Sequence, residues 1–423
     1  MNHFELREGE LTCEDVRLAK IAETVGTPVY VYSSATLERH FTVLRDALVD
    51  AGLKDPLIAF AVKANSNVAV LRTLAKVGAG ADVVSEGEIR RALAAGVPPE
   101  RIVFSGVGKT EAEVEFALET GVAEINLESE PELHLVNTVA QRMGKRATVA
   151  IRVNPDVQAG GHAKISTGMA ENKFGVSMVE AERLYANASN MAGVKPVGVA
   201  CHIGSQITDL APLEEAFAKM RGLVERLRGQ GMSVERLDLG GGLGAPYFNQ
   251  PTPPAPSAYA AMIATTMAGL TGLQFAFEPG RMIAANAGVL LARVLHVNAR
   301  PEGRQFLVLD AAMNDLLRPA MYDAWHDIRP VQPREGDLVT YDVVGPICET
   351  GDTFTRDRAL PPLVAGDLVA FMTAGAYGAA MASEYNSRLL APEVLVKGDR
   401  FAIVRPRPTY DDMLAREQAA PWL

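Results

Sequence analysis

Cysteine is scarce in this chain: Cys13, Cys201 and Cys348 are the only three in 423 residues. An odd, sparse set gives no disulfide framework and suits a reducing cytoplasm. No Cys-x-x-Cys or His-Glu-x-x-His spacing occurs, so no metal site is expected. No apolar run reaches membrane-spanning length, and the opening Met1–Leu6 lacks the basic-then-apolar pattern of a secretory signal. A soluble cytoplasmic protein with no membrane partner is the expectation. Basic blocks are also missing. The 51 acidic side chains outnumber the 41 basic ones, for a net charge of −10. Nucleic-acid binders are normally basic, so a small molecule is the expected partner. No internal repeat or low-complexity tract stands out.

What is present is an ordinary globular composition, 48% hydrophobic and 22% charged. At about 150 residues per domain, the length implies two or three domains. Eight short apolar runs alternate with helical stretches between residues 37 and 284: Leu57–Val62, Ala81–Ser85, Arg101–Ser105, Val122–Leu127, Ala147–Val153, Val197–His202, Val234–Leu239 and Leu273–Phe277. Most are continuously apolar, as strands buried on both faces should be. Helical patterns such as Glu86–Ala95, Glu111–Gly121, Pro131–Met143 and Pro212–Gly229 lie between them. The pattern reads as an α/β fold, a (β/α)8 TIM-like barrel over 37–284, with an open doubly wound sheet as the alternative.

After residue 285 the pattern becomes all-β, with runs at Val289–Val297, Phe306–Leu309, Leu338–Val344, Asp367–Met372, Glu393–Lys397 and Phe401–Arg405. The strand-like Thr27–Tyr32 is expected to join them. That makes a second β-domain from residues 1–36 and 285–423. The segment Asn154–Gly175, with Gly160–Gly168 inside it, is too long for a plain turn and reads as a lid. Pro251–Pro256 reads as a surface excursion.

In such a barrel the reactive groups gather at the C-terminal ends of the strands. Lys63 closes the first strand there. Burial would lower its pKa and make it a nucleophile able to form a Schiff base; a lysine that merely reaches to solvent is the simpler reading. His202 closes the sixth strand, either as a hydrogen-bonded core histidine or stacked on a flat ring. Gly240-Gly241-Gly242 follows the seventh, as a tight turn or a phosphate cradle of backbone N–H groups; its spacing is not the dinucleotide fingerprint. Glu278 closes the eighth and needs a partner, Arg281 or a pyridinium nitrogen. A Schiff-base lysine, a phosphate cradle and a carboxylate for a ring nitrogen together describe a site for pyridoxal 5'-phosphate.

Those motifs, Phe60–Asn65, His202–Gln206, Gly240–Gly242 and Glu278–Arg281, resemble the alanine-racemase-fold (fold type III) decarboxylases. Arg318–Tyr322, Gly345–Asp352, Gly375–Gly378 and Tyr385–Arg388 narrow the resemblance to the branch that decarboxylates meso-diaminopimelate to L-lysine and carbon dioxide. It implies that Lys63 holds pyridoxal phosphate, His202 stacks on its ring and Glu278 meets the pyridine nitrogen. It assigns Ser205, Gly240, Gly241, Gly242, Gly280 and Tyr377, with Arg281 beside them, to the cofactor. Arg281, Arg318, Tyr322, Tyr377 and Glu349 would bind substrate, and Cys348 would protonate the intermediate. In that family Cys348 and Glu349 reach the partner subunit's site, so a homodimer is implied. Two arginines suit a distal carboxylate, and ornithine has none. Ornithine, arginine or carboxynorspermidine decarboxylation is the alternative, then a racemase, then a non-catalytic cofactor-binding protein.

Overall fold

The computed structural model describes residues 2–159 and 173–422. The chain divides into two compact units, Glu38–Pro246 with Pro251–Ile283, and Met1–Leu37 with Tyr247–Gln250 and Ala284–Leu423. The proposed lid residues Gly160–Gly168 and Asn172 lie outside the described residues.

The first unit is a closed barrel of eight parallel strands: β1 (Leu57–Ala61), β2 (Gly80–Val83), β3 (Ile102–Phe104), β4 (Glu124–Leu127), β5 (Ala147–Arg152), β6 (Val194–Ala200), β7 (Arg236–Asp238) and β8 (Gln274–Phe277). Closure is made by β8 against β1, through Ala276 opposite Leu57 and Phe277 opposite Ile58. An open sheet is thereby excluded. All eight apolar runs became strands because both of their faces are buried. Leu57, Ala59, Val103 and Ala276 cluster together in the core.

Helices α1 (Val68–Lys76), α2 (Glu86–Ala95), α3 (Glu111–Thr120), α4 (Glu130–Arg142), α5 (Met178–Ser189), α6 (Ala211–Gly229) and α7 (Pro256–Thr266) connect successive strands. Four of them start with the same device. Ser85, Thr110, Ser129 and Ser177 each accept the backbone N–H of a glutamate three residues on, at Glu88, Glu113, Glu132 and Glu180. Only Thr110 and Glu113 close the full reciprocal box among the four. These caps end each rim loop sharply and so fix where the next helix begins.

The second unit is mostly β. The strand Val29–Ser33 lies between β9 (Gly288–Ala299), antiparallel, and Glu393–Lys397, parallel. The N-terminal segment thus completes the C-terminal sheet. A register shift between Val294 and His296 lets β9 serve two neighbourhoods. Its first half pairs with Val29–Ser33 and β14 (Leu368–Phe371), and its second half with β10 (Gln305–Leu309). The remaining strands of this sheet are β11 (Ile328–Pro330), β12 (Val339–Val344), β13 (Thr353–Leu360), β15 (Glu393–Lys397) and β16 (Arg400–Arg405), and Phe4–Arg7, Glu10–Cys13 and Val16–Arg17 form a separate three-stranded sheet. The apolar-run reading omits β11 and β13. β11 is three residues long, and β13 is an outer strand, Thr-Phe-Thr-Arg-Asp-Arg-Ala-Leu, that buries only Phe354 and Leu360 fully.

The N-terminal end of the barrel is closed by charge. Glu124 opens β4 and Arg236 opens β7; Arg236 Nη1 donates to Glu124 Oε2 at 3.3 Å, while Nε and Nη2 donate to Gln274 Oε1 at 3.1 and 2.8 Å. Glu124 Oε1 is buried with no hydrogen-bond partner. Burial pushes the Glu124 carboxyl up to about 7 despite Arg236. The folded chain therefore binds this proton more tightly than the unfolded one. The stabilisation is complete below the ordinary value of 4.5 and is lost as pH rises through about 7. Glu124→Gln has no proton to lose and should flatten that decline. Thermal midpoints of both proteins across this pH range check it, and parallel curves would refute the assignment.

Candidate active site

Lys63 sits in the single turn Val62–Ala64 that follows β1. Its Nζ lies 3.0 Å from Oδ2 of Asp82, on β2. The Lys63 side chain is 40% exposed, whereas Asp82 is fully buried. The desolvated amine expected from sequence is thus corrected: a buried carboxylate holds this ammonium at the edge of the barrel mouth. Asp82 Oδ1 has no hydrogen-bond partner in its buried position.

His202 follows β6. Its Nδ1 accepts the backbone N–H of Gly241 at 3.2 Å, so Nδ1 carries no proton. Protein crowds the ring on most sides while part of its surface stays open. Burial first, then the charges of Lys63 and Arg152, hold its pKa well below the ordinary histidine value. The imidazole is a neutral, flat surface.

The glycine run after β7 is dictated by packing. A Cβ at Gly240 would stand 2.2 Å from the Cys201 carbonyl oxygen, and one at Gly241 2.3 Å from that of Glu278. These two positions let the ends of β6, β7 and β8 converge. Gly240 also donates its N–H to Asp238 Oδ1 at 2.7 Å. Glu278 Oε1 accepts from Ser105 Oγ at 3.3 Å and Asn126 Nδ2 at 3.4 Å. Burial, and then the neighbouring Asp238 and Asp82, push the Glu278 carboxyl well above its usual range. Asp238 is pushed up chiefly by its own burial. Gly280 links β8 to the turn Arg281–Ala284, and Arg281 Nε donates to Ser205 Oγ at 3.0 Å.

Behind this rim lies a charged layer that the motifs did not disclose. Arg152, ending β5, pairs with Glu128 at 2.7 Å and lies over the Phe174 ring at 4.9 Å. Glu128 also accepts the N–H groups of Gly106 at 3.1 Å and Gly175 at 2.9 Å. Lys109, buried, donates to Glu132 at 2.9 Å and to the Gly106 and Asn126 carbonyls, both at 2.7 Å. Asp82 and Asn126, which contact Lys63 and Glu278, do have a signal in the sequence: each is a polar residue inside an apolar strand run.

This donor set fits pyridoxal phosphate. An amine, a neutral flat ring, a glycine-lined turn beside a hydroxyl and an arginine, and a buried carboxyl pair with no ion-pair partner among the described residues all occur on one rim. A pyridinium N–H would supply a positive partner for Glu278.

The remaining expected residues belong to the β unit, where they fall in three places. Arg318 and Tyr322 share the five-residue helix Arg318–Tyr322. Cys348 is exposed in the turn after β12, next to Glu349, whose Oε2 accepts from Tyr385 at 2.9 Å. Asp352 staples that turn, accepting the N–H groups of Ile347 and Met313 at 2.7 Å each. Tyr377 occupies a turn after β14 with φ +57°.

Residues 34–285 match the family described as "Pyridoxal-dependent decarboxylase, pyridoxal binding domain". The chain is 49% identical to the diaminopimelate decarboxylase of Zymomonas mobilis over 421 residues, covering 99% of each. It is equally identical to that of Pseudomonas aeruginosa, with full coverage of both. Among solved structures, diaminopimelate decarboxylase from Helicobacter pylori complexed with L-lysine superposes with a TM-score of 0.89 at 41% identity, covering 94% of this chain and 98% of that one. The enzyme from M. jannaschii, also with L-lysine, gives 0.93 at 36% identity with full coverage of both. The chain belongs to the diaminopimelate decarboxylase family of pyridoxal-dependent decarboxylases.

Proposed function

We propose that this protein decarboxylates meso-2,6-diaminopimelate to L-lysine and carbon dioxide, the last step of lysine formation. The observation that carries the reading is the barrel rim, where Lys63, neutral His202 and the buried Glu278 carboxyl converge in a chain so similar to diaminopimelate decarboxylases. Bound pyridoxal phosphate supplies an electron sink for the bond broken at the substrate α-carbon. Lys63 would tether it until the substrate amine takes that place. Glu278 would face the pyridine nitrogen and hold a proton on it. His202 would lie against the ring without adding charge. Ser205, the Gly240–Gly242 turn and Gly280 would take the phosphate, and the family resemblance adds Tyr377.

The substrate has a second amino-acid head. By the family resemblance, Arg281 and Arg318 would offer paired donors to its carboxylate, Glu349 an acceptor to its ammonium, and Tyr322 and Tyr377 further contacts to that head. Cys348 Sγ–H delivers the proton to the α-carbon after carbon dioxide leaves. Its exposure in the turn Gly345–Asp352 suits service to a partner subunit, and a homodimer with shared sites follows from the family resemblance. Three free cysteines suit a reducing cytoplasm. Among the described residues no helix is long and apolar enough to cross a membrane.

Lys63→Ala should abolish carbon dioxide release from meso-diaminopimelate and remove the visible absorbance of the lysine-bound cofactor. Normal turnover by that variant would sink the assignment. Cys348→Ala should lower kcat by about 100-fold or more while KM moves little, as expected for loss of a positioned acid. Glu349→Gln should do the reverse, raising KM more than it lowers kcat. Steady-state kinetics with meso-diaminopimelate, ornithine and arginine separate these effects and test the substrate choice.

A further inference from the structure

Arg318 does not hold its orientation alone. Its Nη1 donates to the Tyr247 hydroxyl at 3.0 Å and meets His326 Nε2 at 3.0 Å. The other ring nitrogen, His326 Nδ1, meets the Met372 carbonyl oxygen at 2.9 Å. All three side chains are buried. Tyr247 and His326 pack edge to face, with centroids 6.1 Å apart at 79°.

Hydrogen-bond direction fixes the state of this imidazole. A carbonyl oxygen only accepts, so Nδ1 must carry the proton. A guanidinium only donates, so Nε2 must offer its lone pair. His326 is therefore neutral, with one tautomer. The Met372 backbone is clasped from both sides, because its own N–H donates to the Asp327 carbonyl at 2.8 Å. The ring is thus anchored to β14 by its neighbour Met372, and it passes that anchorage on to Arg318. The short helix carrying Arg318 is five residues long and could not fix a long side chain by itself.

We propose that His326 is a positioning residue for substrate selection. Held by the Met372 carbonyl as the Nδ1–H tautomer, it aims the Arg318 guanidinium at the distal carboxylate of the substrate, with Tyr247 as the second guide. This rests on the assignment of Arg318 to that carboxylate.

The test uses the holoenzyme with two inhibitors. L-lysine keeps the distal amino-acid head, and cadaverine (the same chain without a carboxylate) does not. His326→Asn keeps an amide N–H near Nδ1 and removes the acceptor for Arg318. His326→Gln can place an amide oxygen near Nε2. In the Asn variant, KM for meso-diaminopimelate and the inhibition constant of L-lysine should each rise on the order of tenfold, the size of a lost bond to a charged group. Inhibition by cadaverine should stay unchanged, and kcat should fall less than about threefold. The Gln variant should recover most of the lysine affinity. Equal damage by Asn and Gln, or equal loss for cadaverine and lysine, would overturn the proposal. Arg318→Gln separates the two layers. If it leaves lysine inhibition intact, the carboxylate assignment fails and the positioning role fails with it. If it weakens lysine selectively while both His326 variants behave as wild type, only the positioning role fails.

Discussion

The barrel mouth is organised by the cost of burying carboxylates. Asp82 lies on β2, Asp238 ends β7 and Glu278 follows β8, and each sits where an isolated charge would cost several kcal/mol. Among the described residues, the positive charges near them already have carboxylate partners. Lys63 is committed to Asp82, and Arg152 is already matched by Glu128. Asp238 and Glu278 therefore retain protons at pH values where exposed carboxyls have lost them. A site built this way is incomplete toward cations. A flat ring with a protonated nitrogen would complete it, because the ring nitrogen would bring a further positive charge to the Glu278 carboxyl.

That constraint explains why the glycines are where they are. Carboxylates on β7 and β8 can share a neighbourhood with His202 only if the strand ends nearly touch. The backbone oxygens of Cys201 and Glu278 fill the space where side chains at Gly240 and Gly241 would begin. The same closeness brings the Gly241 N–H to His202 and the Gly240 N–H to Asp238. Sterics and electrostatics are thus one arrangement: the approach that forbids a Cβ also supplies the N–H groups that polar side chains need.

The barrel was legible because parallel strands buried on both faces leave continuous apolar runs, and because each rim motif follows such a run directly. Lys63, His202, Gly240–Gly242 and Glu278 were found by that adjacency. Asp82 and Asn126 were passed over for the same reason, since they lie inside the runs rather than after them. Lys109, Glu128 and Arg152 carry no local signature; their meaning arises only when β3, β4 and β5 bring them together. In the β unit, β13 was hidden because an outer strand alternates too weakly, with Arg356, Asp357 and Arg358 at its centre. Arg318, Cys348 and Glu349 were legible only through resemblance, as no periodicity marks a residue on a five-residue helix or in a turn.

The two histidines show how the chain sets protonation without relying on solvent. His202 accepts a backbone N–H at Nδ1, and His326 gives its Nδ1 proton to a backbone carbonyl. Opposite directions produce opposite tautomers, yet both rings are neutral. The outcome suits their neighbours. A positive ring at His202 would repel Lys63 and Arg152, and one at His326 would point an N–H at the donor of Arg318. A backbone group cannot change from donor to acceptor when pH or ligand changes. Tying each imidazole to the main chain therefore makes its charge a property of the fold. The side chains proposed to change state during the reaction, Lys63 and Cys348, lie instead on the rim and in the exposed turn after β12.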